Sequence, residues 1–287
     1  MRQVSSFVIS DSGSDPGSTY NDDCWGSVPT AVWILDGATA LSKERLFPAA
    51  PSDAQWFVSA VDSELRNSDW SGATIPLLQS MMERVRRRFH LEAVGRIDQV
   101  SLWPFASFAL IRVCGGGVEF VNLGDCRILW RPPNGHAVKS FGSSRVTDLD
   151  GNVVKEIERL HREGYASYEA VRKAVLPMIE ANRKLKNTEG YWILDTTGEG
   201  ISHVQTMLVE AADVETVLLC TDGYYRLVDT YHKRTDQSLL SDSVNIGVST
   251  MLREIREIER GDKHCLAFPR IKPADDATAV LAVATCD

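Results

Sequence analysis

Positive charge is in short supply in this chain: 31 Lys and Arg stand against 39 Asp and Glu over 287 residues, a formal net charge of -8. That balance argues against general binding of nucleic acid or of an anionic membrane surface. Long apolar runs are missing as well. No stretch approaches the ~18 residues of a membrane span. The opening Met-Arg-Gln-Val-Ser-Ser-Phe-Val-Ile-Ser is too short in apolar length for a signal peptide, so a cytoplasmic protein is expected. Cys24, Cys114, Cys126, Cys220, Cys265 and Cys286 show no CxxC spacing and mostly sit within apolar runs, which reads as reduced core thiols. His90, His136, His161, His203, His232 and His264 share no spacing that would mark a metal site. GxxxxGK(S/T), GxGxxG after a strand, HExxH and GxSxG are all absent, which removes the P-loop, Rossmann, zincin and hydrolase-elbow readings. There is no repeat, low-complexity segment or linker. With 44% hydrophobic and 24% charged residues, one globular domain over 1–287 is expected.

What the chain does have is aspartate at the ends of apolar runs. Ala31 to Thr39 reads Ala-Val-Trp-Ile-Leu-Asp-Gly-Ala-Thr, a buried strand delivering Asp36 just ahead of Gly37. Val217 to Gly223 repeats the grammar as Val-Leu-Leu-Cys-Thr-Asp-Gly and ends in Asp222-Gly223. Asp22-Asp23 precedes the first of these strands, and Asp275-Asp276 precedes the last apolar run. A glycine after the aspartate lets the backbone approach whatever the carboxylate holds, and its carbonyl can join as a ligand. Carboxylates with no evident Lys or Arg beside them repel one another if they converge, and a hard divalent cation such as Mg2+ or Mn2+ relieves that repulsion with an all-oxygen shell. Acidic residues at strand ends also serve as turn and capping residues. For a single pair that plainer role is preferred; for the whole set the metal site is.

The remaining pattern gives the elements. Residues 3–10 read as a first strand, followed by a polar loop from Asp11 to Thr19. Cys24–Val28 reads as a short strand before Ala31–Leu35, and Leu41–Pro51 as irregular. Ser52 with Gln55 three residues on signals a helix start, with Asp53 in its first turn and Trp56, Val61 and Leu65 as its stripe. A second helix is expected over Ala73–Ala93, with Ile75, Leu78, Met82, Val85 and Phe89 on one face and Arg84, Arg86, Arg87 and Arg88 on a solvated one. A meander follows: Ala106–Cys114, a Gly115–Gly117 turn, Val118–Leu123, Arg127–Trp130, and an Asn134-Gly135 turn into a short strand. Asp125 reads on pattern alone as a turn residue. From Val153 to about Leu185 two charged surface helices are expected, an insertion with 142–190 as a candidate flap. Tyr191–Leu194, Val204–Val209 and Val217–Cys220 return to strand pattern, Leu239–Arg260 to helix, and Ala277–Thr285 to strand. Hairpins with helices grouped apart indicate an α+β protein with antiparallel sheets.

Asn21-Asp22-Asp23, Asp36-Gly37, Gly124-Asp125-Cys126-Arg127, Thr221-Asp222-Gly223 and Asp275-Asp276-Ala277-Thr278 occur in the order and approximate spacing of the PPM family, the metal-dependent, type-2C Ser/Thr protein phosphatases. The resemblance spans nearly the whole chain, and it rests on five motifs in order, none of them specific alone. It implies a four-layer α-β-β-α sandwich, two antiparallel sheets flanked by helices, with a two-metal site at one edge. By resemblance, Asp36 bridges both ions and the Gly37 carbonyl joins one of them. Asp222 and Asp275 complete one ion's shell, and Asp22 and Asp23 hold the other. Asp125 matches a residue that, in bacterial-type members, helps to bind a third ion. Asp276 stands where the family usually has Asn and is left as a neighbour.

The implied activity is phosphomonoester hydrolysis by water activated between two Mg2+ or Mn2+ ions, with Asp36 and Asp222 central and phosphoprotein as substrate. Two departures bear on substrate. The family's Arg ahead of the first acidic pair is replaced by Gly17-Ser18-Thr19-Tyr20, which removes a bidentate phosphate contact. The His that follows Asp-Gly in eukaryotic members is Ala38 here. A small phosphorylated metabolite is therefore the alternative substrate, and a non-catalytic PPM-like binding module the alternative class. No nucleic-acid or membrane partner is expected.

Overall fold

Alternate residues of the central strands point to two different cores in the computed structural model, which describes residues 3–286 except 39–40, 42–43, 96, 134, 136, 143–144 and 189–190. Thr39, His136 and the Asn134 of the expected hairpin turn lie outside the described residues. In chain order the elements are β1 (Val4–Asp15), β2 (Asp23–Val28), β3 (Ala31–Gly37), α1 (Asp53–Arg66), α2 (Thr74–Glu92), β4 (Phe105–Cys114), β5 (Gly117–Leu123), β6 (Arg127–Arg131), β7 (Lys139–Phe141), α3 (Arg145–Arg162), α4 (Tyr168–Arg183), β8 (Leu194–Asp195), β9 (Gln205–Val209), β10 (Thr216–Cys220), α5 (Asp222–Asp229), α6 (Asp236–Asn245), α7 (Val248–Gly261) and β11 (Ala277–Cys286).

One sheet has the order β1-β11-β10-β6-β7 and the other β2-β3-β4-β5-β9, with β8 paired to β4. The pairs are antiparallel. In β3 the period of two divides the side chains: Ala31, Trp33 and Leu35 pack on α1 and α2, while Val32 and Ile34 face the other sheet. Between the sheets Val32, Ile34, Ile111 and Phe120 meet Ile128, Val217, Leu219 and Val280. Beyond the second sheet Leu218, Cys220 and Leu281 pack on Tyr224, Leu227, Leu240, Met251 and Ile255 of α5, α6 and α7. Burying each large side chain contributes roughly 1.5–3 kcal/mol. The layers run helix, sheet, sheet, helix, the four-layer sandwich that the resemblance implies. Among the described residues, no helix is long and apolar enough to cross a membrane.

Local structure departs from the pattern reading in four places. β1 continues through the polar segment expected as a loop, paired with β11 as far as Asp15 opposite Ala277. Its backbone ladder needs no apolar side chains there, and the Ser14 and Thr278 hydroxyls meet at 2.6 Å. α3 begins at Arg145, taking Asp150-Gly151-Asn152 into the helix. The helix expected over 239–260 is two, broken at Gly247, whose φ of 90° favours glycine. Of 191–194 only Leu194 joins a strand, with Asp195. The α1 start holds: Ser52 Oγ accepts the Gln55 N–H at 2.8 Å. Asp53 is buried and accepts the N–H groups of Leu46 (2.8 Å) and Phe47 (2.9 Å), which closes the irregular segment onto the helix.

α3 and α4 form a hairpin with a core of its own, Val153, Ile157, Leu160, Val171 and Val175. Val146 and Leu149 of α3 pack on Phe105, Tyr191 and Ile193, bringing the hairpin over the sheet edge where β3 and β10 end.

Candidate metal centre

Both sheets deliver aspartates to that edge. Asp36, near the end of β3, pairs in register with Asp23 of β2 and with Ser107 of β4. The Gly37 N–H donates to the Asp22 carbonyl at 3.1 Å, and a Cβ on Gly37 would stand 2.4 Å from that oxygen, so the chains meet this closely only at glycine. Ser107 Oγ donates to Asp125 and accepts the Asp125 N–H at 3.2 Å, which anchors the β5–β6 turn beside Asp36. From the other sheet, β10 ends at Cys220, Thr221 stands at the N-cap of α5 and Asp222 starts that helix. Thr221 Oγ1 donates to Asp23 Oδ2 at 2.9 Å, joining the two sheets at the site. A Cβ on Gly223 would lie 2.0 Å from the Asp276 carbonyl.

Asp276 is committed to the backbone: its carboxylate accepts the N–H groups of Gly17 (2.8 Å) and Asp22 (2.7 Å). Asp22 also accepts from Ser52 Oγ, so the cap of α1 reaches the acidic pair. Asp36, Gly37, Asp125, Asp222 and Asp275 line one cavity of about 660 Å³ beneath the α3–α4 hairpin. Asp22 and Asp23 are buried and do not line it. Asp125, which pattern alone gives as a turn residue, is thus placed with Asp36 and Asp222.

Electrostatics follow from this crowding. Burial, then Asp276, raise the Asp23 carboxyl well above its ordinary value. Burial, then Asp222, Asp23 and Asp125, do the same to Asp36. Burial and Asp222 push Asp125 up to about 6. Asp150 of α3 faces the same cavity, and burial, followed by Asp125 and Asp222, raises it to about 7.

Asp275 differs, and here the expectation that no cation stands beside the carboxylates is corrected. Lys272 Nζ lies 2.6 Å from its Oδ1 and Arg226 Nη2 2.6 Å from its Oδ2. Burial alone would raise Asp275, but these two charges outweigh it and hold the carboxyl below its usual range. Their sequence signal was faint: Lys272 precedes Asp275 by three residues, and Arg226 follows Asp222 by one helical turn. Asp150 gave none, because it depends on where the hairpin lies.

The donor chemistry of the first group suits a hard cation. Asp23, Asp36, Asp125 and Asp222 are all-oxygen donors, three of them disfavoured as anions, and Asp23 Oδ1 is buried without a hydrogen-bond partner. As they stand, no three His, Cys, Asp or Glu among the described residues come close enough to hold one ion. Asp275 is neutralised by the chain itself.

No family model and no curated protein matches this sequence. Solved structures do match over nearly the full chain. The Mycobacterium tuberculosis serine/threonine phosphatase PstP/Ppp aligns at 15% identity and a TM-score of 0.53, covering 97% of this chain and 99% of its own. Pseudomonas aeruginosa PppA, described as a key regulatory component of T6SS, aligns at 15% identity and 0.54, covering 99% and 100%. Staphylococcus aureus serine/threonine phosphatase Stp1 aligns at 11% and 0.53, covering 99% and 98%. The chain therefore has the fold of the PPM-type serine/threonine phosphatases, as the ordered aspartate motifs imply.

Proposed function

We propose that the protein is a Mg2+- or Mn2+-dependent phosphomonoester hydrolase acting on phosphoserine or phosphothreonine of cytoplasmic proteins. We read it as one domain over 1–287, with 142–190 as the flap. The observation that carries this is the set of mutually repelling carboxylates, drawn from both sheets of a serine/threonine-phosphatase fold, at one cavity. Asp22, Asp23, Asp36, the Gly37 carbonyl, Asp222 and Asp275 would hold two ions, with Asp125 available to a third. Such ions supply activated water and offset charge on the phosphoryl oxygens.

The chain's own contribution is orientation. Thr221 fixes Asp23 and Ser107 fixes Asp125 by hydrogen bonds. Gly37 and Gly223 allow the close backbone approaches that set Asp36 and Asp222. Asp275 must exchange Lys272 or Arg226 for an ion before it can act as a ligand.

A second reading, hydrolysis of a small phosphorylated metabolite, is favoured by the cavity. Its 660 Å³ falls within the ~300–1,000 Å³ of small-ligand sites. Rates on a phosphothreonine peptide, p-nitrophenyl phosphate and a panel of sugar phosphates, each with Mn2+, separate the two. The first reading expects the peptide to have the highest kcat/KM. A sugar phosphate turned over at least tenfold better would replace it with the second.

A further inference from the structure

The cavity above the carboxylates has a cationic wall. Tyr168, Arg172, Ile179 and Arg183 recur at helical spacing on one face of α4, and all four line it. Arg172 and Arg183 stand three turns apart on that face, at roughly 3.6 residues per turn. The other cations here are engaged: Lys272 with Asp275, Arg226 with Asp275 and Glu259, and Arg127 with the Gly142 carbonyl and the face of Tyr225. Arg172 makes no side-chain hydrogen bond or ion pair among the described residues, and its Nη1 is buried with no hydrogen-bond partner. Arg183 packs on the Phe105 ring, 5.5 Å from its centroid. Burial lowers its pKa, and the neighbouring Arg172 charge adds to that. A guanidinium with an unmet donor on a cavity wall favours an anion, and its planar fork suits a carboxylate or a phosphate; Arg183 adds positive charge further along the same face.

We propose that Arg172, with Arg183 adding positive charge further along the same face of α4, forms an anion-binding subsite for a second anionic group of the substrate, distinct from the scissile phosphoester. The aspartates come to this cavity from the strand ends and from the start of α5, whereas Arg172 and Arg183 belong to α4 of the hairpin above them, so the α4 cations address a group other than the one held at the carboxylates. This deepens the phosphatase reading where it concerns substrate. The subsite itself stands without it.

Two measurements on the 287-residue protein test the proposal. The first is calorimetric titration of EDTA-treated protein with inorganic phosphate. Without metal the carboxylate end repels an anion, so binding reports the α4 wall. Arg172→Met should weaken binding roughly tenfold and Arg172→Lys, which keeps the charge and loses the fork, by less. Absence of binding by the wild type, or unchanged affinity in Arg172→Met, overturns the proposal. Should Arg172→Met not fold, Arg172→Lys and Arg183→Met carry the same comparison.

The second compares Mn2+-supported hydrolysis of phosphothreonine peptides followed by Glu-Glu or by Ala-Ala. The wild type should show a KM about tenfold lower for the glutamate peptide, with similar kcat, and Arg172→Met should lose that preference. A preference kept in the variant overturns the assignment to substrate. A wild type that binds phosphate but turns over neither peptide fails the phosphatase reading and leaves the subsite standing.

Discussion

Replacing Asp125 with Asn should stabilise the metal-free protein, although Asp125 is a hydrogen-bonded side chain at the centre of the site. Burial and Asp222 raise its carboxyl from 3.8 to about 6. At 1.36 kcal/mol per pH unit, that displacement sets about 3 kcal/mol against the charged form in the folded state. The folded pKa lies above the unfolded one, so stability is lost as pH rises from 3.8 through 6. The penalty is full above about pH 7, near half at pH 5, and gone below 3.8. Asn removes the charge, and its side-chain carbonyl can still accept from Ser107 Oγ. For a chain of this length, ~3 kcal/mol corresponds to roughly 5 °C in Tm. Calorimetric scans in EDTA should therefore show Asp125→Asn melting about 5 °C higher at pH 8 and about half that at pH 5. Saturating Mn2+ should shrink or reverse the gain, because native-state binding adds RT ln(1 + [L]/Kd) to the wild type. An unchanged or lower Tm at pH 8 in EDTA, or an equal gain at both pH values, refutes the reasoning.

The same charge change at Asp275 should act in the opposite direction. Asp275→Asn leaves Lys272 and Arg226 without their buried partner and should cost about 3–5 kcal/mol in EDTA, read by urea unfolding. Gly223→Ala drives a Cβ against the Asp276 carbonyl and should destabilise by about 1–3 kcal/mol while weakening Mn2+ binding in calorimetry. Ser52→Ala removes the α1 cap and the donor to Asp22, and should cost about 1 kcal/mol in the same unfolding assay.

How far the sequence could be read depended on the distance over which each feature is determined. Asp36 and Asp222 were legible because an apolar strand running into Asp-Gly is a local signal, and the glycines are explained by backbone approaches within 2.4 Å of a Cβ position. Strand pattern gave antiparallel sheets with helices grouped apart, and the four layers came from the family resemblance that the ordered aspartate motifs carry. The extension of β1 through Asp11–Asp15 was not, because its partner is β11 at the far end of the chain. The break at Gly247 was hidden within a continuous amphipathic pattern, where one positive φ ends a helix. Pattern gave Asp125 as a turn residue, and it does sit in a turn. What it could not give was that Ser107 holds that turn against Asp36. Lys272, Arg226, Asp150 and Arg172 acquire meaning only once the α3–α4 hairpin and the 268–275 segment are folded over the aspartates, a long-range arrangement that spacing does not encode.

The central claim, that the converging aspartates make a metal-dependent phosphatase, is tested most directly by one assay. Initial rates on a phosphothreonine peptide are measured with Mn2+, with Mg2+ and with EDTA, beside an Asp36→Asn variant shown to be folded. The account predicts turnover with metal, none with EDTA, and a loss of at least a hundredfold in the variant. Equal rates for wild type and variant, or turnover that persists in EDTA, would contradict it.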